Sequence, residues 1–237
     1  MNILITGAGR GIGFAMVKEF ASRGNHNIVA LSRNMERLNE LAGICNDIFP
    51  SSKVYPYCMD LESGTKEFTV LYDYINESFG LLDILLNNAG YLVNKPFRTL
   101  QVEDEKKMWA INYLAPSRLT RLLIPIIGLK EKGHVVNISS MGGLQGSLKF
   151  PGLSSYSASK SALATLTECL AAEFKDSNIA FNCIAPGSVQ TEMLQEAFPS
   201  YNAKMSAADF AVYLTDFCLK GMNYCNGKIL PFSLSQP

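Results

Sequence analysis

The chain has 237 residues, 48% apolar and 18% charged, with Lys+Arg and Asp+Glu both at 21 and a formal net charge of zero. A chain of this size buries roughly 70% of its unfolded surface, enough for the core of one large α/β domain. It lacks the basic excess expected of a nucleic-acid binder, and a neutral surface does little to oppose self-association. No apolar run approaches the ~20 residues that span a bilayer. The start, Met1 to Thr6, has neither a basic n-region nor a cleavage site. The expectation is therefore no nucleic acid, no membrane and a cytoplasmic location. Six cysteines show no Cys-x-x-Cys spacing and are expected to be reduced, small, buried apolar residues. Cys218 and Cys225 are close enough in sequence to meet.

In chain order, residues 2–6, 27–31, 53–58, 82–87, 134–139, 179–184 and 228–231 read as strands, rich in Ile, Val and Leu without clean alternation. Strands buried on both faces of a parallel sheet look like this. Amphipathic helices are expected between them at 11–23, 35–48, 62–79, 103–129, 155–174 and 207–219. The alternation implies right-handed crossovers. The fold class is α/β: a single-domain, Rossmann-type doubly wound sheet of about seven parallel strands with helices on both faces. No linker, charge block or repeat divides residues 1–237. Three irregular stretches, 91–102, 141–154 and 187–205, follow strands. Ligands in such sheets bind beyond the carboxyl ends of the strands, so these loops should form the pocket.

The first strand runs into Thr6-Gly7-Ala8-Gly9-Arg10-Gly11-Ile12-Gly13, and a helix follows. Glycines at 7, 9, 11 and 13 let the backbone turn tightly and let a pyrophosphate approach the free N–H groups of the helix start. The alternative is a plain glycine-rich turn. The end of the second strand separates NAD from NADP. It reads Leu31-Ser32-Arg33-Asn34, with no acid to repel a 2′-phosphate. Arg33 can grip such a phosphate through its planar fork, and Arg10 can approach it from the glycine loop. NADP(H) is the expected cofactor over NAD(H); the alternative is two solvated surface arginines.

The remaining motifs are Asp60-Leu61, Asn87-Asn88-Ala89-Gly90, Asn112, Asn137-Ile138-Ser139-Ser140, Tyr156-Ser157-Ala158-Ser159-Lys160 and Pro186-Gly187. In this order and spacing the chain resembles the short-chain dehydrogenase/reductase family over essentially its full length. The residues themselves support the likeness. Tyr156 and Lys160 are four apart on one helix face. A free tyrosine titrates near ~10, and a neighbouring ammonium should lower that value. Tyr156 can then exchange a proton with a substrate oxygen. Ser140, at the end of the fifth strand, would steady the charge developing there. The resemblance assigns the same roles, and adds that Lys160 binds the nicotinamide ribose. It also implies that the Asn112 carbonyl holds a water in a proton relay. Pro116 has no N–H to give that carbonyl and should kink the helix, unless the helix only starts there. By resemblance Asp60 and Leu61 contact adenine, and Asn88, Ala89 and Gly90 line the adenosine side. Pro186, Gly187, Val189 and Thr191 hold the nicotinamide, with the Thr191 hydroxyl near its carboxamide. Asn87 is expected to brace the sheet.

Two features depart from the family pattern. Ser140 and Tyr156 are sixteen apart, longer than usual, with the extra residues at 148–154, so Ser139 is an alternative to Ser140. The C-terminal run Gly227 to Ser233 lacks the usual Asp-Gly-Gly-like turn, which puts in doubt a tetramer contact through the last strand. A homodimer through the helices near Glu103 and Ser155, or a homotetramer, is still implied. His26 and His134 are the only histidines, so no metal site is expected. There is no Gly-x-Ser-x-Gly elbow and no P-loop. The expected activity is hydride transfer between NADP(H) and a carbonyl or secondary alcohol of a small apolar substrate, in a pocket near Leu92, Val93, Leu144, Leu153 and Met193. Two alternatives stand beside it. One is reduction of 3-oxoacyl groups on an acyl carrier protein docked at Lys130, Lys132 and Lys175, cations that serve equally well as helix-end charges. The other is an inactive NADP-binding sensor or scaffold.

Overall fold

The structure is a computed structural model describing residues 1–234. Seven strands form one parallel sheet: β1 (Asn2–Thr6), β2 (Asn27–Ser32), β3 (Lys53–Cys58), β4 (Ile84–Asn87), β5 (Gly133–Ile138), β6 (Ile179–Pro186) and β9 (Ile229–Phe232). Their order is β3-β2-β1-β4-β5-β6-β9. The order reverses between β1 and β4, and every pairing is parallel. β7 (Val189–Gln190) and β8 (Met205–Ser206) make a small separate parallel pair. Prolines sit inside both edge strands, Pro56 in β3 and Pro231 in β9.

The central strands bury both faces, which is why they read as apolar runs. β5 and β6 are buried at every residue. One face packs against α1 (Gly11–Ser22), α2 (Met35–Ile48) and α8 (Ala207–Lys220), through residues such as Met16, Phe20, Leu41 and Phe210. The other packs against α3 (Thr65–Phe79), the helix pair α4 (Val102–Trp109) and α5 (Ala115–Leu123), and α6 (Ser154–Glu173), through Phe68, Leu71, Leu119 and Phe181. Side-chain caps fix several helix starts. Asn34 Oδ1 accepts from Arg37 N at 3.0 Å before α2, and Ser206 Oγ accepts from Asp209 N at 3.0 Å before α8.

Several expected boundaries move. The helix expected at 103–129 is broken into α4, a π-turn over Ala110–Leu114, α5 and a 3₁₀ turn over Ile124–Ile126. Pro116 explains the first break. It has no N–H for the Asn112 carbonyl, so the ladder slips and Ala115 N bonds the carbonyl of Ala110, five residues back. α3 starts at Thr65, not near 62, because Asp60 Oδ1 caps a turn by accepting from Glu62 N at 3.0 Å. The stretch 187–205 is not wholly irregular: it holds β7 and α7 (Glu192–Ala197). The cysteine expectation is corrected in part. All six are free, but Cys58 and Cys169 are exposed and Cys225 is half-buried. Among the described residues no helix is long and apolar enough to cross a membrane.

His134 ties the amino end of the sheet together. Its Nδ1 meets the Cys218 carbonyl at 2.9 Å, and Asn182 Nδ2 lies 3.0 Å from its Nε2. Asn182 also donates to the Cys225 carbonyl at 3.0 Å and accepts from Lys228 N at 3.1 Å. The ring is fully buried, and burial pushes its pKa down to about 4 against a weaker opposing pull from the Cys218 carbonyl. The fold therefore holds His134 neutral, while the unfolded chain takes up a proton below ~6.5. The stability this contributes is whole above pH 6.5 and is lost as pH falls toward 4, on the order of 3 kcal/mol across that window. Urea unfolding at pH 7.5 and pH 5 should show a clear loss in wild type. H134Q, lower in stability at both, should lose less between them.

Candidate active site

The glycine loop joins β1 to α1 at the centre of the sheet. Gly7 and Gly11 have φ of 70° and 57°, the left-handed region that favours glycine. A Cβ on Gly7 would lie 2.8 Å from Ala89 Cα, and one on Gly13 would collide with the Gly7 carbonyl. One on Gly9 would lie 2.7 Å from Ser32 Oγ. The residues after β4 form the wall behind this loop. Asn88 N and Ala89 N donate to Thr6 Oγ1 at 3.1 and 3.0 Å, and Asn88 Nδ2 donates to the Thr6 carbonyl at 2.9 Å. The first turn of α1 carries no acid and no side-chain cap. Glycines that cannot carry a side chain, backed against uncapped N–H groups, fit a dinucleotide pyrophosphate.

The other expected cofactor residues fall around this cradle, not all in the expected manner. Ser32 Oγ accepts from Asn34 N at 3.3 Å, and Arg33 reaches Asp60 at 3.9 Å. Arg10 is ion-paired with Glu196 of α7. Ile12 is half-buried against the core, and Leu61 is buried in the same apolar cluster as Phe68. Pro186 closes β6 and Gly187 N donates to the Phe232 carbonyl at 2.8 Å. Val189 is buried in β7, and Thr191 Oγ1 caps α7 by accepting from Leu194 N at 3.2 Å. The Thr191 methyl lies 3.2 Å from where a Gly11 Cβ would be. A Cβ on Gly90 would lie 3.5 Å from Lys160 Nζ, 3.6 Å from Asn112 Oδ1 and 3.8 Å from Met193 Cε. Glycine loop, Gly90 and Lys160 therefore share one end of the sheet.

Ser140, Tyr156 and Lys160 come together at the carboxyl end of β5. Tyr156 shares a hydrogen bond with Ser140, whose Oγ also accepts from Gly142 N at 3.2 Å. Ser139 points the other way: its buried hydroxyl donates to the Lys160 carbonyl at 2.7 Å. Ser140, not Ser139, faces the tyrosine. Lys160 Nζ in turn donates to the Ile138 carbonyl at 2.7 Å. Asn112 spends its whole side chain on bracing. It donates to Ser159 Oγ at 3.0 Å and the Tyr91 carbonyl at 2.9 Å, and accepts from Tyr91 N at 2.8 Å. Ser159 Oγ donates to the Tyr156 carbonyl at 2.7 Å. Asn87 braces as expected, donating to Asn137 Oδ1 at 2.8 Å and Thr120 Oγ1 at 3.3 Å.

The expected depression of the tyrosine pKa does not occur. Burial pushes the Tyr156 phenol up to about 12, with the Ser140 hydrogen bond opposing it. Burial also lowers Lys160, to about 8, with the nearby Cys183 acting the other way. The ammonium is committed to the Ile138 carbonyl and does not offset the desolvation of the phenol.

The loops close on one another at the mouth. Asn94 Nδ2 donates to the Ala197 carbonyl at 3.0 Å, and Lys95 N to the Gly152 carbonyl at 3.1 Å. Gly152, at φ 88°, has no room for a Cβ against Asn94. Leu92, Val93, Leu144 and Met193 are half-buried here, whereas Leu153 is buried. A groove lined by Pro96, Phe97, Phe150, Pro151 and Leu153 lies beside this joint. Lys130, Lys132 and Lys175 precede β5 and β6, at the amino end of the sheet, away from Tyr156.

Residues 1–202 match the family model described as short chain dehydrogenase. The chain belongs to the short-chain dehydrogenase family. Among its relatives, the mouse (Mus musculus) protein called dehydrogenase/reductase SDR family member 7B is 30% identical over 208 residues, 87% of this chain and 63% of the relative. The 3alpha-hydroxysteroid dehydrogenase of Mediterraneibacter gnavus is 33% identical over 194 residues, 81% of this chain and 74% of that one. A crystal structure of an Escherichia coli CFT073 short-chain dehydrogenase complexed with NADPH superposes at a TM-score of 0.88 with 27% identity, covering 97% of this chain and 95% of that one. The chain spans 63% of the length of the mouse and rat relatives.

Three contributors to this short-chain dehydrogenase site escape a sequence reading. Asn94 and Glu196 act through partners far along the chain, and nothing near them marks the role. Gly143, in the turn after Ser140, sits against α6: a Cβ there would lie 2.9 Å from Lys160 C and Ser161 N. G143A should therefore destabilise the protein by about 1–3 kcal/mol, as overpacking does. G43A, on an open face of α2 with nothing within 4 Å, should be neutral or stabilising. Paired urea titrations of the two variants check both signs.

Proposed function

We propose that this protein is an NADP(H)-dependent oxidoreductase acting on the carbonyl or secondary-alcohol carbon of a small apolar substrate, in one domain that carries both binding sites. The observation that carries the reading is the convergence of Ser140, Tyr156 and the buried Lys160 at the sheet end that holds the glycine loop. The dinucleotide, when bound, supplies or accepts the hydride. Residues Gly7 to Gly13 would hold its pyrophosphate, and Ser32, Arg33 and Arg10 its 2′-phosphate. Asp60, the Leu61 backbone and Asn88 to Gly90 would hold the adenosine; Pro186, Gly187, Val189 and Thr191 would hold the nicotinamide.

The side chains do the rest. Ser140 Oγ and Tyr156 Oη hold the substrate oxygen. In reduction Tyr156 Oη gives its proton to that oxygen, and in the reverse direction takes it back. A phenol pushed up to about 12 stays protonated at neutral pH. An alkoxide is a stronger base than a phenolate, so the arrangement suits reduction. The Lys160 ammonium, one turn along α6 and anchored on the Ile138 carbonyl, would hold the nicotinamide ribose when the dinucleotide is bound. Because the Asn112 side chain is spent on Tyr91 and Ser159, its contribution to proton resupply falls to its backbone carbonyl, which Pro116 cannot bond.

The NADP(H) preference is supported by the absence of an acid at the end of β2, by Arg10 and Arg33 nearby, and by the NADPH complex of the similar E. coli protein. Reduction on a carrier protein draws no support from the fold, since its candidate lysines lie at the far end of the sheet. Self-association through α4 and its neighbours belongs to this reading, with exposed Val102 and Leu114 on that side.

A panel of ketones followed by loss of NADPH fluorescence, with NADH in parallel, tests the proposal. Y156F should lose about 10²–10⁴-fold in rate. Equal or faster rates with NADH would sink the cofactor assignment, and equal inertness of wild type and Y156F would favour a sensor. In a second experiment, kcat/KM for reduction should fall as pH rises through about 8, where Lys160 loses its proton. K160R, slower overall, should lack that limb, because its guanidinium stays charged.

A further inference from the structure

α7 crosses the mouth of the site and is tied down on both sides by consecutive residues. Toward the substrate loops, the Ala197 carbonyl accepts from Asn94 Nδ2 at 3.0 Å. Toward the cofactor cradle, Glu196 meets Arg10 through both oxygens, with Nη2 to Oε2 at 3.1 Å. Glu192, one turn earlier, adds its negative field at the same guanidinium. The pair is largely solvent-exposed, at 41% and 61% for the two side chains. Exposed pairs contribute little to stability, so this one aims the guanidinium and is readily exchanged.

We infer that Glu196 is an affinity-determining residue that competes with the 2′-phosphate of the dinucleotide for Arg10. The inference rests on the NADP(H) reading above. A phosphate monoester carries about −1.5 to −2 charge at neutral pH, and the arginine fork matches carboxylate and phosphate through the same parallel N–H groups. One guanidinium cannot give that fork to both. NADP(H) must displace Glu196, whereas NAD(H), with no phosphate there, leaves the pair intact. Glu196 therefore weakens binding of the phosphorylated dinucleotide alone. Its displacement also removes this tie of α7 on the cofactor side, while the Asn94–Ala197 bond stays in place.

Fluorescence titration of the whole protein with NADPH and with NADH, without substrate, tests this. E196Q and E196A should bind NADPH about 2- to 5-fold tighter than wild type, the range that loss of an exposed competing ion pair allows. NADH affinity should not move. On an R10A background the same changes at Glu196 should have no effect on either dinucleotide. If they leave NADPH affinity unchanged, tighten NADPH and NADH alike, or still act in R10A, the competition is refuted. Failure of the underlying reading looks different: wild type would bind NADPH no tighter than NADH, and R10A would leave both affinities unmoved.

Discussion

The site depends on a reciprocal stitch between the end of β5 and the middle of α6. Ser139 Oγ bonds the Lys160 carbonyl and Lys160 Nζ bonds the Ile138 carbonyl, both at 2.7 Å. Lys160 is only 3% exposed, and a buried ammonium is costly unless its donors are used. The Ile138 carbonyl takes one of its three N–H donors at the point where the strand ends. Once the stitch is made, Ser140 leaves the strand on the same side as Tyr156, one helical turn before Lys160. Gly143 then lets the following turn settle onto the helix backbone.

The stitch is the outermost layer of a buried polar framework. Deeper in the sheet Asn87, Asn137, Thr120 and Thr167 link β4 and β5 to α5 and α6. Beside them Thr6 and Asn88 join the glycine loop to the end of β4. Such networks are costly when half-satisfied and rigidifying when complete; here Asn87 makes its links through Nδ2, and its buried Oδ1 has no partner among the described residues. They hold the cofactor cradle and the tyrosine on elements that cannot slide past one another. The mouth is built differently, from loops joined at single bonds around Asn94.

Much of this was legible in the sequence because the informative contacts are local or periodic. Runs of Ile, Val and Leu gave the seven strands to within about two residues, and the Tyr156–Lys160 spacing put both on one helix face. Pro116 announced a disturbance at Asn112, though the sequence could not say that it would take the form of a π-turn. The misses share a cause. α7 was hidden because a six-residue helix carries too little periodicity to register. The direction of the Tyr156 shift depended on burial of the phenol, which no local pattern reveals. The Arg10–Glu196 pair was illegible because the two residues lie 186 apart in the chain.

The strand order puts Pro56 and Pro231 in the two outermost strands, β3 and β9. Each proline removes a backbone donor from an open margin that would otherwise template another chain. The hydrogen-bonding lattice is thus capped at both ends by residues that interrupt its continuation. Growth of the sheet into a neighbouring molecule is disfavoured from either side.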